Sequence, residues 1–333
     1  MGRVVYLLFN NSAILVTGGT GSFGKKFTEI ILKYDIKKLI ILSRDELKQY
    51  NMQQQFNDSR IKYFLGDIRD KNRLYRAFEG VDYVVHAAAL KQVPSCEFNP
   101  FEAIRTNVLG AQNVIEACID KGVKKVIALS TDKSNQPINL YGATKLCSDK
   151  LFVASNSYAS GKNTKLSVVR YGNVIGSRGS VVPLFLEQEK TGVFTITDPR
   201  MTRFWITLDE AVNFVLKNFQ RMEGGELFVP KIPSMKITDL AKAINIECEH
   251  KIVGIRPGEK LHESMISVDE SRNTLEFYDY YIVKPDFKWW TDAKYISESK
   301  GSKVHNNFSY TSDNNEIFLT IKELKEIIKG LSL

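Results

Sequence analysis

The chain has 333 residues, of which 43% are hydrophobic and 25% are charged, and its formal net charge is +8. This is the composition of an ordinary globular protein, and it excludes a fibrous or intrinsically disordered chain. The basic residues are spread along the sequence without a nucleic-acid recognition motif. They therefore indicate a solvated basic surface and no nucleic-acid partner, and they also suit a phosphorylated small molecule.

Two further features of the sequence concern the location of the protein. Its four cysteines, Cys96, Cys118, Cys147 and Cys248, are widely separated and lack clustered histidines, which predicts reduced thiols and no metal site. No apolar run approaches the roughly 20 residues that span a bilayer. We therefore expect a cytoplasmic protein with no membrane partner.

The first half of the chain alternates short β-branched runs with longer amphipathic segments. This pattern predicts an α/β fold, a Rossmann-type doubly wound parallel sheet with helical crossovers. The predicted strands are Ala13–Thr17, Lys38–Ser43, Ile61–Leu65, Tyr83–Ala87, Val126–Ser130 and Leu166–Arg170. In such sheets ligands bind outside the carboxyl ends of the strands, so these ends should line one site.

The alternation weakens after residue 172, which predicts a domain boundary there. We assign residues 1–172 to an NADP-binding Rossmann domain and residues 173–333 to a smaller α/β substrate lobe, with segments that can return to the first domain. The sequence Thr207–Glu210 is a capping-box pattern before apolar residues at helical spacing, and it predicts one helix in the lobe. Beyond about residue 285 the sequence predicts no element.

A glycine-rich loop follows the first predicted strand and opens a helix. Glycines allow a tight turn and a close approach of the backbone to a pyrophosphate, and the helix N-terminus attracts the anion. The loop therefore predicts a dinucleotide site, although glycine-rich turns also occur for structural reasons. Its predicted cofactor-binding residues are Gly18, Thr20, Gly21, Ser22, Phe23 and Gly24.

The second strand ends in Ser43, Arg44 and Asp45, where an NAD site would usually offer a carboxylate to the ribose. A guanidinium beside a hydroxyl suits a 2′-phosphate, so the sequence favours NADP over NAD. The alternative is that Arg44 lies on a solvated helix start that Asp45 caps. Further along, we expect Asp67 and Ile68 to meet the adenine, and Ala87 to line the same site at the end of the fourth strand.

Tyr141 and Lys145 lie one helical turn apart, so their side chains project from the same face. A nearby ammonium and the positive charge of an oxidised nicotinamide favour tyrosinate, which can accept a proton from a hydroxyl whose carbon gives up hydride. The spacing alone is common in helices. Downstream of a dinucleotide loop, it predicts redox chemistry coupled to proton transfer.

With the glycine loop, Tyr141, Lys145 and a hydroxyl at Thr131, the chain resembles the extended short-chain dehydrogenase/reductase family over nearly its whole length. Within that family it is more closely similar to the UDP-N-acetylglucosamine 4,6-dehydratases that invert C5. The segments that carry this similarity are Ser43–Lys48, Thr131–Lys133, Asn139–Lys145 and Met201–Trp205.

This resemblance implies a lyase that holds NADP tightly and converts UDP-N-acetylglucosamine to UDP-2-acetamido-2,6-dideoxy-β-L-arabino-hex-4-ulose. It also implies the first step towards CMP-pseudaminic acid, a sugar used for flagellin glycosylation, and a homo-oligomer such as a hexamer. The residues alone establish neither the exact UDP-sugar nor the outcome at C5.

Asp132 and Lys133 add an acid and a second base beside the same sugar, and elimination of water requires both. We expect Lys133 to remove the hydrogen at C5 while Asp132 protonates the leaving 6-hydroxyl. For this role the pKa of Lys133 must fall well below its usual value of about 10.4, through desolvation or nearby positive charge. The alternative is a surface turn with an ordinary ion pair.

The resemblance also implies the residues that hold the substrate. Lys91 is expected to face both cofactor and substrate, although the next residue is Gln92 where the family often has histidine. Arginine suits a pyrophosphate because its planar fork donates in pairs, although each arginine could equally form a surface ion pair. The other implied residues are Asn173, Val181, Val182, Arg203, Arg256 and Glu259, with Arg178 as a weaker candidate.

Three alternative functions remain open at this stage. A C5-retaining 4,6-dehydratase would share the acid, whereas a C4-epimerase would have no use for Asp132 and Lys133. A non-catalytic NADP-binding sensor would typically lack Tyr141 or Lys145, and both are present.

Overall fold

The computed structural model describes residues 7–159, 161, 163–177, 180–287, 290, 295 and 301–331. All six predicted strands are present, and each end lies within one residue of its predicted position. They pair in parallel in the spatial order 3-2-1-4-5-6, which confirms the predicted fold class. These strands are β1 (Ala13–Thr17), β2 (Lys38–Ser43), β3 (Ile61–Leu65), β4 (Tyr83–His86), β5 (Lys125–Thr131) and β6 (Lys165–Tyr171).

Helices connect these strands. Parallel strands need long crossover connections, which are usually helical. An amphipathic helix in such a crossover packs its apolar face against the sheet. A π-helical turn, Arg105–Leu109, lies between two of the helices, and a 3₁₀ turn, Asp132–Ser134, directly follows β5. The helices are α1 (Ser22–Ile31), α2 (Glu46–Gln55), α3 (Lys71–Ala77), α4 (Val93–Phe98), α5 (Pro100–Ile104), α6 (Gly110–Asp120), α7 (Leu140–Ala154) and α8 (Asn156–Ala159).

The second half of the chain contributes short strands and four further helices. The helix predicted after Thr207 is confirmed: the Thr207 side chain accepts from the Glu210 backbone N–H, and the Glu210 carboxylate accepts from Thr207. The helices are α9 (Val181–Glu189), α10 (Leu208–Arg221), α11 (Ile237–Ile244) and α12 (Ile321–Lys329). The strands are β7 (Asn173–Val174), β8 (Val193–Ile196), β9 (Thr202–Ile206), β10 (Leu227–Pro230), β11 (Ser234–Lys236), β12 (Glu249–Ile252), β13 (Ser264–Ile266), β14 (Thr274–Glu276), β15 (Tyr280–Val283), β16 (Ser302–Lys303) and β17 (Tyr310–Thr311).

Part of this second half extends the main sheet beyond β6. Strand β10 pairs in parallel with β6, and β15, β14 and β16 follow as antiparallel strands, so the sheet has ten strands within the described residues. A separate apolar cluster, which includes Phe185, Phe194, Trp205 and Leu240, has all its buried members after residue 174 in the described chain. The division at residue 172 stays a prediction.

None of the helices in the described ranges is both long and apolar enough to cross a membrane. The longest of them, α7, has 15 residues, and its buried positions include the polar side chains of Lys145, Ser148 and Asp149. Its buried side therefore carries charge into the interior, next to the carboxyl ends of the strands.

Candidate active site

The carboxyl ends of β1, β2, β4, β5 and β6 open into one cavity of about 920 Å³. Its lining contains every predicted cofactor-binding residue except Asp67. Those on the lining are Gly18, Thr20, Gly21, Ser22, Phe23, Gly24, Ser43, Arg44, Asp45, Ile68, Ala87, Lys91, Tyr141 and Lys145. These residues therefore lie together around one cavity, and their roles in cofactor binding stay predictions.

The glycine loop has the close packing that a dinucleotide site requires. Gly18 has a φ of +65°, and a Cβ there would lie 2.8 Å from the Cα of Ala88. A Cβ on Gly24 would lie 2.2 Å from the carbonyl oxygen of Gly19, so the helix can pack against the loop only with glycine. Gly21 provides no side-chain cap for α1, which leaves the first N–H groups of the helix for an anion.

Two hydroxyl groups on the cavity lining strengthen this fit. Thr106, on the π-helical turn, and Ser180, before α9, each hold a buried oxygen with no hydrogen-bond partner among the described residues. Buried hydroxyls are rarely left unpaired, so they mark positions where a polar ligand would supply a partner. The residues present therefore fit a dinucleotide in this cavity.

At the far end of the cavity, Arg44 lies on the lining and is half-exposed. Asp45 caps α2 by accepting from the Lys48 backbone N–H at 2.9 Å, as the alternative interpretation of this segment expected, and the preference for NADP stays a prediction. Asp67 lies behind Arg44, 3.5 Å from its guanidinium. Although burial opposes ionisation, hydrogen bonds from Arg69 and the charge of Arg44 hold the pKa of Asp67 below its ordinary value.

Tyr141 and Lys145 lie together on the cavity lining, as predicted from their spacing. Burial raises the pKa of Tyr141 to about 12, against the opposing charge of Lys133 and a hydrogen bond with Thr131. Burial also lowers the pKa of Lys145, and the nearby carboxylate of Asp149 opposes that shift. The charge of Lys133 favours tyrosinate at Tyr141, but it does not outweigh burial.

Asp132 and Lys133 lie in the 3₁₀ turn after β5 and form a buried ion pair, with 3.0 Å between Lys133 Nζ and Asp132 Oδ1. Lys133 lines the cavity beside Thr131, whereas Asp132 lies directly behind them and is wholly buried. The alternative of a surface turn is thereby wrong. The same ammonium donates to Asn173 Oδ1 at 3.5 Å, so the predicted substrate residue Asn173 lies beside it.

The structure adds Glu263, a residue that the sequence analysis missed. Its carboxylate Oε1 lies 3.0 Å from Lys133 Nζ, and its side chain is only 2% exposed. The only local signal is that this acid directly precedes a short apolar strand, β13, and such a position alone does not distinguish a buried carboxylate from a solvated one.

The predicted fall in the pKa of Lys133 is wrong for this site. Burial by itself would lower that pKa, but the carboxylates of Asp132 and Glu263 outweigh burial and raise it above its ordinary value. The pKa of Asp132 is also raised, first by burial and then by the charge of Glu263, against the opposing charge of Lys133. Lys133 is thus held as an ammonium, and Asp132 is biased towards its protonated form.

The remaining predicted substrate residues lie in different surroundings. Lys91 lines the cavity, and burial lowers its pKa. Arg203 is buried, and its guanidinium donates to the carbonyl oxygens of Thr202, Lys260 and Leu261.

Of the other predicted substrate residues, those within the described part of the chain do not line this cavity. Val182 is buried in the second apolar cluster with Val181 packed against it. Arg256 is 65% exposed and lies 2.6 Å from Glu259, as in an ordinary surface ion pair. Arg178 lies outside the described residues. The substrate roles of these residues and of Arg203 stay predictions.

A family profile described as "Polysaccharide biosynthesis protein" matches residues 14–285. The chain belongs to this family. One similar protein is the UDP-N-acetylglucosamine 4,6-dehydratase (inverting) of Campylobacter jejuni, 58% identical over 96% of this chain and 98% of the relative. Another is the UDP-glucose 4-epimerase of Rickettsia conorii, 45% identical over 97% of each chain.

The structure is also similar to solved structures of other proteins. Pen from Bacillus thuringiensis superimposes with a TM-score of 0.88 and 35% identity, covering 96% of this chain and 98% of that one. DesIV, a dTDP-glucose 4,6-dehydratase from Streptomyces venezuelae, has a TM-score of 0.67 and 24% identity over 75% and 86%, and shows the fold alone. The resemblance stated from the sequence motifs is confirmed.

Substitution of Gly18 by alanine tests the glycine loop. Gly18→Ala should lower the affinity for the dinucleotide about tenfold or more, because its Cβ would crowd the Ala88 backbone where the ligand approaches. Titration of purified protein with NADP, followed by calorimetry, measures this. The matched control is Gly122→Ala, which has a similar φ of +68° and nothing within 4 Å of the added Cβ. Equal affinities in the two variants would contradict a dinucleotide site at the loop.

Proposed function

We propose that this protein is a UDP-N-acetylglucosamine 4,6-dehydratase that inverts C5, a carbon–oxygen lyase that retains its NADP. The observation that carries the proposal is the acid and amine pair, Asp132 and Lys133, held 3.0 Å apart against the cavity that Tyr141 and Lys145 also line. A dehydrogenase needs only the second pair. The 58% identity to the Campylobacter jejuni enzyme supports the substrate and the inversion.

The proposed reaction divides between these two pairs of residues. Tyr141 receives the proton of the 4-hydroxyl, and the adjacent Lys133 charge and the Thr131 hydroxyl offset part of the cost of a buried tyrosinate. Bound NADP would supply the nicotinamide that accepts the hydride from C4 and gives it back at C6. The C4 ketone acidifies the C5 hydrogen, so that Lys133 can remove it while Asp132 protonates the leaving 6-hydroxyl. A proton delivered to the opposite face of C5 then inverts that centre.

The proposal also includes the surroundings of the reaction. Arg44 would donate to the 2′-phosphate of NADP from the rim of the cavity, next to Ser43. Lys91 and Asn173 would face the sugar, and Arg178, Arg203 and Arg256 would hold the pyrophosphate, with Glu259 on the ribose and Val181 and Val182 beside the nucleotide. The product is the 4-ulose named above, the first step to CMP-pseudaminic acid for flagellin glycosylation, made in the cytoplasm by a homo-oligomer such as a hexamer.

A C4-epimerase is the second candidate, and the 45% identity to the Rickettsia conorii enzyme named UDP-glucose 4-epimerase favours it. An epimerase would oxidise and reduce the same carbon, C4, and would need no acid at the 6-hydroxyl. The buried pair of Asp132 and Lys133 would then have no chemical use. In the proposed dehydratase both residues have a role, so we prefer that function.

One incubation separates these functions. The purified protein is incubated with UDP-N-acetylglucosamine in heavy water, and the product is analysed by mass spectrometry and NMR. We expect loss of one water, deuterium at an inverted C5 and no net formation of NADPH. A retained C5 would refute the inversion, and a C4 epimer without water loss would establish the epimerase. Bound NADP without turnover of any UDP-sugar would favour a sensor.

The role of Lys133 is tested by two substitutions. Lys133→Ala should lower the rate of water loss by about 100-fold or more, because it removes the amine that accepts the C5 proton. Lys133→Arg keeps the positive charge between Asp132 and Glu263 and should be equally slow, because guanidinium does not give up its proton. Product formation is followed by NMR, and thermal unfolding checks the fold. Near-normal dehydration by either variant would contradict this role.

The preference for NADP is tested at Arg44. Arg44→Ala should weaken NADP binding about tenfold or more and leave NAD binding unchanged, since only NADP carries the 2′-phosphate. Calorimetric titration with each dinucleotide measures the two affinities. Arg272→Ala is the control, because this exposed arginine pairs only weakly with Asp269, at 3.7 Å. An equal loss for NAD and NADP would show that Arg44 does not select the phosphate.

A further inference from the structure

Lys133 has two carboxylate partners where one would satisfy its charge. Its ammonium lies 3.0 Å from Asp132 Oδ1 and 3.0 Å from Glu263 Oε1. The two acids come from distant parts of the chain, the 3₁₀ turn after β5 and the segment directly before β13. Their side chains are 0% and 2% exposed, so neither charge is screened by water. Burying a second carboxylate costs free energy, so the presence of Glu263 beside Lys133 needs an explanation.

The two carboxylates have unequal surroundings. Glu263 faces a second cation, because Arg203 Nε lies 3.9 Å from the same Oε1. Asp132 receives instead a neutral hydrogen bond from the Thr131 hydroxyl at 3.0 Å. The second oxygen of each carboxylate, Asp132 Oδ2 and Glu263 Oε2, has no partner among the described residues, so the difference lies in the groups around the first oxygen. Since two cations stabilise a buried carboxylate better than one cation and a hydroxyl, Glu263 is the acid that is ionised in the resting site.

The proposed elimination gives this asymmetry a purpose. Asp132 must be protonated to release the 6-hydroxyl as water, while Lys133 must be neutral to accept the C5 proton. If Asp132 were the only partner of Lys133, it would have to be ionised as the counter-ion and protonated as the acid. A second carboxylate removes this conflict.

We propose that Glu263 is the positioning residue that acts as the counter-ion of Lys133, and thereby leaves Asp132 protonated as the acid of the dehydration. This inference rests on the proposed function and extends it to a residue outside the cavity lining. Glu263 acts through Lys133 and does not touch the sugar.

The protons balance over the elimination of water. One proton passes from Lys133 Nζ to Glu263 Oε1, and the resulting amine takes the proton of C5. Asp132 gives its proton to the 6-oxygen, the C6–O bond breaks, and water leaves a double bond between C5 and C6. Lys133 then passes a proton to Asp132, and Glu263 returns one to Lys133. All three groups regain their starting states, and the proton lost from C5 equals the one carried away in water.

Other charged groups surround Asp132, Lys133 and Glu263, and they also affect how the rate of dehydration depends on pH. Lys260 donates to the carbonyl oxygen of Asn135 at 2.6 Å, and its charge acts on all three groups. The groups that face them from the packed elements are Tyr141 on α7, Arg203 on β9, Lys260 before β13 and, one layer further away, Asp149 on α7 and Arg170 on β6.

The direction of the expected shift follows from the charge that is removed. Burial and the charge of Glu263 both raise the pKa of Asp132, whereas Lys133 and Arg203 outweigh burial and lower the pKa of Glu263. Neutralising Glu263 removes a repulsion from Asp132, so the pKa of Asp132 falls. Asp132 then loses its proton at a lower pH, and the alkaline limb of the dehydration profile moves to lower pH.

The test is Glu263→Gln, which keeps the shape and one acceptor oxygen but removes the charge. We expect kcat for water loss to fall about tenfold or more, and its alkaline limb to move down by about one pH unit. The affinity for NADP should stay within about twofold, because Glu263 lies away from the dinucleotide. Glu263→Asp, which restores the charge, should return the alkaline limb to its wild-type position even if kcat stays low.

Two results would overturn the proposal: a Glu263→Gln variant with wild-type kcat, or one whose kcat falls without a shift of the pH profile. The second result would mean that Glu263 only holds the shape of the site. Wild-type turnover of UDP-N-acetylglucosamine, measured in parallel, separates failure of this inference from failure of the proposed function.

Infrared spectroscopy of the wild-type protein decides the question even if Glu263→Gln does not fold. The carbonyl band of protonated carboxyl groups at neutral pH should shift when aspartate is isotopically labelled, and should lose intensity in Asp132→Asn. That variant isolates the Asp132 signal, because burial also raises the pKa of Asp149. If the band loses no intensity in Asp132→Asn, Asp132 is not the protonated acid. If it changes only in Glu263→Asp, the proton lies on Glu263. Either result would refute the proposal.

Discussion

The site depends on a buried polar contact between two distant stretches of the chain. One is residues 130–139, which include the end of β5 and the turn after it, and the other is residues 256–270, which include β13. The ion pair of Lys133 and Glu263 lies at its centre. Around it, Asn139 donates to the carbonyl oxygen of Gly258 at 2.8 Å, and Lys260 donates to that of Asn135 at 2.6 Å. Since buried charges and amides must find partners, each stretch holds the other in place. The catalytic turn thus has its geometry set partly from the C-terminal half.

Two chemical devices share the cavity beside this contact. Tyr141 and Lys145 lie on α7 with Asp149 behind them, where Asp149 accepts from Ser130 at 2.7 Å and from Ser134 at 2.9 Å. Asp132 and Lys133 lie on the short turn and face Glu263. Each device has a buried carboxylate behind it, Asp149 or Glu263, and the charge of Lys133 links the two devices because it favours tyrosinate at Tyr141.

Local patterns in the sequence predicted most of the fold and part of the site. The six parallel strands are continuous apolar runs, and the residues that follow them are brought together by the sheet itself. Glu263 could not be predicted, because its burial follows from tertiary contacts with Lys133 and Arg203 and no local pattern records them. The same holds for the pKa of Lys133, whose direction is set by that missed carboxylate, and for β14–β16, whose short strands carry no periodic signal.

The 3₁₀ turn of Asp132–Ser134 has a consequence for how such proteins diverge. Two adjacent codons specify the acid and the amine, so a brief change in a gene could turn an eliminating enzyme into one that only oxidises and reduces. Loss of Lys133 would, however, leave Glu263 buried without its main cation, at a cost of about 3–5 kcal/mol. Positions 133 and 263 should therefore change together, and a descendant that has abandoned elimination should have lost both charges.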